Sequence, residues 1–386
     1  MVADGEATFL RSALRRAAFP ARSILSVFSS RSLATLYLRY RVVVFFLAGL
    51  IALDAVVYSQ QQVWQTYDPD EYVDRVESCR RQRWDLVVIG GSPVSEGVDP
   101  SILRGARWRG QPLDQVYNLG LPGGTTTDFW HAVRHGIAAP PRLLIYGITA
   151  SDLNDSRLEP HGARIVHFGD LCVWARERPS TAEWIGRHYL EEHLAEVWKL
   201  WRHRNGIRLW TADRAERCWP GLCPAAAAEA RSGLYYSAGL NRGDGYAPRL
   251  EFETKQLDQI KAAGGLNQPF PFLKDYRIGQ HLAYLHRLLD WAGHRGVTVV
   301  LVDMPVSADL EHKYTAEFSQ YRATLADIEQ QRGVRLLRAS RKAVGLGDAD
   351  FADLIHLNAA GRARFCEWLK KELTAENAES TEKRAD

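Results

Sequence analysis

A chain of 386 residues, 46% hydrophobic and 25% charged, has the composition of an ordinary globular protein, long enough for one large core or two domains. A net charge of +3 gives no case for nucleic acid as a partner, because the basic excess is local. Five thinly spread cysteines (79, 172, 218, 223 and 366) have no flanking histidine and do not make a zinc site. Cys218 and Cys223, either side of Trp-Pro-Gly-Leu, close a small disulfide loop in an oxidising compartment or stay as two unpaired thiols.

Residues 1–41 carry the basic excess. Arg11, Arg15, Arg16, Arg22, Arg31, Arg39 and Arg41 fall in a stretch without an acidic residue from Ala7 to Leu53. The run VVVFFLAGLIAL at 42–53 continues past Asp54 to Tyr58, at the short end for a spanning helix. A basic block ahead of an apolar run fits a signal-anchor, with residues 1–41 in the cytoplasm and the rest of the chain outside it. The competing readings are a buried core helix, a cleaved signal peptide and an organelle transit peptide. Residues 59–83 are polar and are expected to be a connector.

Five strand-like runs follow: 85–89 (DLVVI), 115–119 (QVYNL), 142–147 (RLLIYG), 297–303 (VTVVLVD) and 334–337 (VRLL). Unbroken apolar, β-branched runs are the mark of strands buried on both faces of a parallel sheet. Helical periodicity fills 126–137, 278–294, 315–331 and 359–373; in 278–294, Leu282, Leu285, Leu289 and Ala292 share one face. The expected fold is a three-layer α/β/α domain on a five-stranded parallel sheet, made of residues 84–155 and 278–374. Residues 156–277 interrupt it as an inserted cap. This stretch holds Trp174, Trp184, Trp198, Trp201, Trp210 and Trp219, either as a small aromatic core or for stacking on substrate. Within it, 182–201 is helical in character and 233–248 suggests loops or a hairpin, while the polar tail 375–386 is expected to be disordered.

Chemistry concentrates at three turns. Gly90-Gly91-Ser92 follows the first strand, where open α/β sheets place their ligands. Asn118-x-Gly120-x-x-Gly123 follows the second strand, and taken alone is a βα turn or part of a phosphate-binding loop. Asp353-x-x-His356 stands near the C-terminus, spaced so that the carboxylate reaches Nδ1 on one turn and leaves Nε2 free for a serine. No second ligand nearby makes it a metal pattern.

In order and spacing these blocks resemble the SGNH (GDSL-type) hydrolase superfamily, and within it the membrane-anchored SGNH-like proteins of cell-surface polysaccharide acylation and deacetylation. The likeness covers about residues 84–155 and 297–372 and implies a flavodoxin-like fold. It implies Ser92 as nucleophile, His356 as general base and then acid, and Asp353 as its orienter. Backbone N–H groups of Ser92 and Gly123 would form the oxyanion hole. The family's Gly-x-Asn-Asp block is replaced here by Gly147-Ile-Thr-Ala-Ser-Asp152-Leu-Asn154, leaving Asn154 as the nearest candidate for the third donor. The implied activity is an esterase or O-acyltransferase acting on acyl esters of a cell-envelope glycan, without metal or cofactor. Its partners would be the membrane, the acylated glycan or acyl donor, and a membrane acyltransferase. A non-catalytic SGNH-like scaffold binding glycan or a membrane partner is the alternative.

Overall fold

The computed structural model describes residues 30–67, 70–157, 165–177, 186–191, 193–194, 198–240, 242–262 and 270–382, without the side chains of 30–39, 174, 236, 250 and 376–382. The basic segment expected at 1–41 therefore lies mostly outside the described residues. The chain divides into two units, Met1–Gln60 and Gln61–Asp386.

In the first unit, helix α1 (Ser30–Ser59) has one non-helical residue, Tyr40. Its part Tyr40–Ser59 is 20 residues long with mean hydropathy 2.3, enough to cross a membrane. Only 6% of that apolar window is buried, which overturns the core-helix reading. Val42, Phe45, Phe46 and Ile51 all face outward.

The second unit begins with α2 (Gln61–Tyr67) and α3 (Glu71–Arg80). The connector expected at 59–83 is thus structured. Asp70 caps α3 by accepting from the Val73 N–H at 3.2 Å, and Tyr72, Val76 and Cys79 enter the main core. Sequence reasoning missed this because Asp, Glu and Arg on the outer face of α3 outnumber the apolar residues on its inner face.

The sheet strands are β1 (Leu86–Gly90), β4 (Val116–Gly120), β5 (Leu143–Ile148), β6 (Thr298–Asp303) and β7 (Arg335–Arg338). Each expected strand is present, shifted by about a residue. An unpredicted hairpin, β2 (Ala106–Trp108) and β3 (Gln111–Leu113), turns at Arg109 and Gly110, both at positive φ. All four pairings of the main sheet are parallel, in the order β4-β1-β5-β6-β7. The chain leaves β1 for one side and returns through β5 on the other. The switch point therefore lies at the C-terminal ends of β1 and β5.

Strand alternation sorts the core into two faces. Val87, Ile89, Leu144, Tyr146, Val299 and Leu301 meet α3, α5 (Thr126–Gly136), α9 (Gln280–His294) and α10 (Thr315–Arg332). Leu86, Val88, Leu143, Ile145, Val300 and Val302 meet α4 (Ser92–Gly97) and α11 (Ala359–Glu382), the latter through Phe365, Leu369 and Leu373. The tail expected to be disordered instead continues α11 to Glu382.

The insertion carries α6 (Phe168–Glu177), α7 (Arg204–Cys218) and α8 (Pro224–Leu240). Residues 233–240, expected as loops, belong to α8; the irregular stretch begins beyond it. Helices α7 and α8 pack on α2: Tyr67, Leu209 and Ala230 cluster together, and Tyr67 donates to Asp213 at 3.0 Å. Trp210 meets Trp64 edge to face at 5.4 Å, whereas Trp198, Trp201 and Trp219 are exposed. The helix expected over 182–201 is present at 186–191, 193–194 and 199–201, while Trp184 lies outside the described residues. All five cysteines are free, so Cys218 and Cys223 are the unpaired thiols of the second reading.

Candidate functional site

Ser92 starts α4 at the switch point, half-buried, straight after Gly90 and Gly91. Gly90 has φ +152°, and a Cβ there would collide with the Gly147 carbonyl and the Val94 side chain. Only glycine lets β1 turn this sharply into α4.

Asn118 locks that turn to the neighbouring strand. Fully buried on β4, it donates to the carbonyls of Val94 at 3.0 Å and Val98 at 2.7 Å, and accepts from the Gly120 N–H at 2.8 Å. Its place in the motif is therefore structural: it holds the helix that carries Ser92. Arg75, fully buried on α3, reaches the same helix by donating to Ser95 Oγ at 3.0 Å, and also donates to the Gly245 carbonyl.

Gly123 lies beyond β4 at φ +76°. Its carbonyl accepts from Arg157 Nη2 at 2.7 Å, and the Pro122 carbonyl accepts from Tyr72 at 2.7 Å, so the loop is held from two sides. The N–H groups of Ser92 and Gly123 donate to no acceptor among the described residues.

His356 and Asp353 meet as their spacing predicts. His356 Nδ1 lies 2.7 Å from Asp353 Oδ2, and Asp353 Oδ1 accepts the backbone N–H groups of Ile355 and His356. Burial alone would raise the Asp353 carboxyl. The His356 ring, by hydrogen bond and charge, and those two N–H groups outweigh it and hold the group below its usual range. The loop is fixed to the sheet edge by Ser307 N–H donating to the Leu354 carbonyl at 2.9 Å. Asn358, just before α11, donates to the carbonyls of Lys255 and Ala349.

His356 Nε2 is buried and makes no hydrogen bond. Ser92 Oγ is therefore not within bonding reach of it in this structure. In unliganded sites such bonds are often long and tighten when substrate binds. The two residues are linked through α4: Leu357 packs 3.6 Å from where a Cβ on Gly97 would stand, and Phe252 stacks on the His356 ring at 4.4 Å.

The Asn154 side chain is bonded to other segments of the chain. Its amide donates to the carbonyls of Phe272 and Lys274, and its oxygen accepts from Ser156 and Arg277 N–H. With both amide protons engaged, it has none for an acyl oxygen, which corrects the oxyanion role expected for it.

Two carboxyls escaped sequence reasoning. Asp152 Oδ1 lies 3.5 Å from where a Cβ on Gly91 would stand, while Oδ2 accepts from Thr149 N–H at 2.9 Å. Burial raises Asp152 to about 7, against the opposing Thr149 N–H and Arg157. Glu96, fully buried on α4, accepts from Arg249 N–H at 2.7 Å, while its Oε1 has no hydrogen-bond partner. Burial raises Glu96 too, opposed by Arg249, His356 and Arg75. Neither carboxyl has a local signal beyond an acid beside a glycine turn.

No protein-family model matches the chain, and no curated protein matches it significantly. What the site can do therefore rests on its geometry and on the motif likeness alone.

The elevated Asp152 carboxyl carries a pH signature. A folded value above the unfolded one means that the folded state keeps the proton longer. Stability should then fall as pH rises from about 4 to about 7, by at most about 1.4 kcal/mol per unit, and level off beyond. Denaturant melts across this window should show the slope, to which the raised Asp74 and Asp303 add below about pH 6, and Asp152→Asn should lessen it most between about 6 and 7. An unchanged slope in that variant would show that Asp152 is not its source.

Proposed function

We propose that residues 61–382 form a flavodoxin-like, SGNH-type serine acyl hydrolase or O-acyltransferase. The observation that carries this reading is the Asp353–His356 pair, with Nε2 buried and unbonded, at the sheet edge where β1 delivers Ser92. The motif order supports it, and so does the fivefold parallel sheet with its switch point at Ser92.

In this reaction Ser92 Oγ attacks the acyl carbonyl carbon as His356 Nε2 takes its proton. Asp353 keeps the ring in the tautomer that presents Nε2 and balances the imidazolium. The carbonyl electron pair moves onto oxygen, where the free N–H groups of Ser92 and Gly123 receive it. Collapse expels the leaving hydroxyl, which takes the proton from His356, and leaves a Ser92 ester. Water or a sugar hydroxyl then attacks that ester, deprotonated by the same imidazole. Asp152, protonated near neutral pH and facing the Gly91 backbone, takes the place of the third donor that Asn154 does not supply.

The apolar helix Tyr40–Ser59 anchors the protein, and the arginines before it favour a cytoplasmic N-terminus with the reaction outside. A membrane-held enzyme of this chemistry suits a cell-envelope glycan as substrate, with a membrane acyltransferase as a source of acyl groups. The alternative, a scaffold without activity, draws on the missing Ser92–His356 hydrogen bond and the diverted Asn154.

Turnover of an activated acyl ester by the full chain in detergent separates the two. Asp353→Asn should cost about 10⁴ in kcat, because the ring then settles in the wrong tautomer. Mass analysis after incubation with an acyl donor and an oligosaccharide distinguishes transfer from hydrolysis. A folded wild-type chain with no turnover and no acyl-enzyme would leave the scaffold.

A further inference from the structure

We propose that His131, His135 and Asp170 form a site for one divalent transition-metal ion of the zinc class, which staples α6 to α5. The two histidines stand four apart on α5, so both project from one face. Their rings are nearly parallel, 8° apart, with centroids separated by 6.2 Å. Asp170, on the first turn of α6, comes up against both. Its Oδ2 lies 3.0 Å from His135 Nε2 and 3.8 Å from His131 Nδ1, and the three ligand atoms fall within 4.8 Å of one another.

Tetrahedral zinc with bonds of about 2.0–2.1 Å sets its ligands about 3.3 Å apart. The cluster reaches that spacing by a contraction on the order of 1 Å, within the reach of side-chain rotation. Two imidazole nitrogens and one carboxylate oxygen suit zinc, cobalt or nickel better than magnesium or calcium, which prefer oxygen ligands throughout.

The surroundings fit a metal ligand set as well. Arg134 pairs with the other oxygen, Oδ1, so the carboxylate is oriented and Oδ2 remains the coordinating atom. The His167 N–H also donates to Oδ2, at 3.1 Å. The side chains of His131 and Asp170 are buried, with 2% and 5% exposure, and that of His135 is 17% exposed, which gives the ion a path of entry. The fourth position falls to water or to His167, whose ring meets that of His135 at 4.0 Å. The site lies outside the proposed acyl-transfer residues and stands whether or not that reading does. Helix α5 begins right after the loop of Gly123, so the staple also steadies the element that follows that loop.

Isothermal titration of the chelator-stripped full chain in detergent with Zn²⁺, paired with thermal melts, tests the site. One equivalent should bind, and the melting temperature should rise by about 5 °C at a hundredfold excess over Kd. His135→Gln and Asp170→Asn should each lose that equivalent and the rise. The partly exposed His135 is the site whose variant is expected to fold without difficulty. The double variant His188→Ala/His193→Ala, which leaves the three ligands in place, should keep both. No stoichiometric binding by the wild type, or binding that survives in folded His135→Gln, would overturn the proposal and leave the cluster as an ion-pair latch.

Discussion

Ser92→Ala in the detergent-solubilised chain should abolish labelling by a fluorophosphonate probe and lower kcat on an activated ester by about 10⁴–10⁶. The reason is local. Ser92 is the only nucleophile the β1 turn presents, since Ser95, one turn further along, is buried and accepts a hydrogen bond from Arg75. His356→Gln should cost about as much, because serine and imidazole act as one unit and removing either removes the whole advantage. The double variant should then be no worse than either single one. Thermal melts should leave Ser92→Ala close to wild type, whereas the two variants without His356 lose its hydrogen bond to Asp353 and its stacking on Phe252 and should melt lower. Labelling that persists in Ser92→Ala would place the nucleophile elsewhere.

Gly120→Ala should be one of the most damaging single methyl groups in the sheet, alongside Gly90→Ala. A Cβ at this position would stand 2.6 Å from Ser95 Cα, closer still to the Ser95 backbone nitrogen, and 2.9 Å from Asn118 Oδ1. Two of those atoms are backbone and one belongs to the locked Asn118, so none can swing aside. Either α4 lifts off β4 or the strand bends, at a cost on the order of 3 kcal/mol. Lifting α4 would also break the hydrogen bonds from Asn118 to Val94 and Val98. A shift of that helix carries Ser92 with it, so loss of labelling should accompany the loss of stability. Urea melts and probe labelling on the same preparation check both. A variant as stable as wild type would mean that β4 and α4 do not approach as closely as described.

The sheet was legible because its strands are buried on both faces and so lack polar interruptions: Leu86–Ile89 and Val299–Val302 could form little else. The Asp353–His356 contact was legible for a different reason. It is made within one turn of chain, where spacing alone determines geometry. What stayed hidden depends on distant pairing. Asn154 stands near the right place in sequence, yet the 272–277 segment arrives to take its hydrogen bonds. The insertion looked like a cap because of its tryptophans, but its helices α7 and α8 pack on α2, in a stretch read as connector. Glu96 gave no signal either, since nothing in its neighbours foretells that the Arg249 backbone meets it inside the protein.

Arg75 has a bearing on how short the protein can be made. Its guanidinium joins Ser95 to Gly245, and Tyr117 donates its hydroxyl to the Arg75 carbonyl at 2.7 Å. Trimming the N-terminus to Trp84, the start suggested by the first strand, would strip that cation from the interior and bare the Tyr72 and Val76 side of the core. A water-soluble version must therefore keep everything from Gln61 onward, because the stretch just past the apolar helix is already part of what holds the Ser92 turn in place.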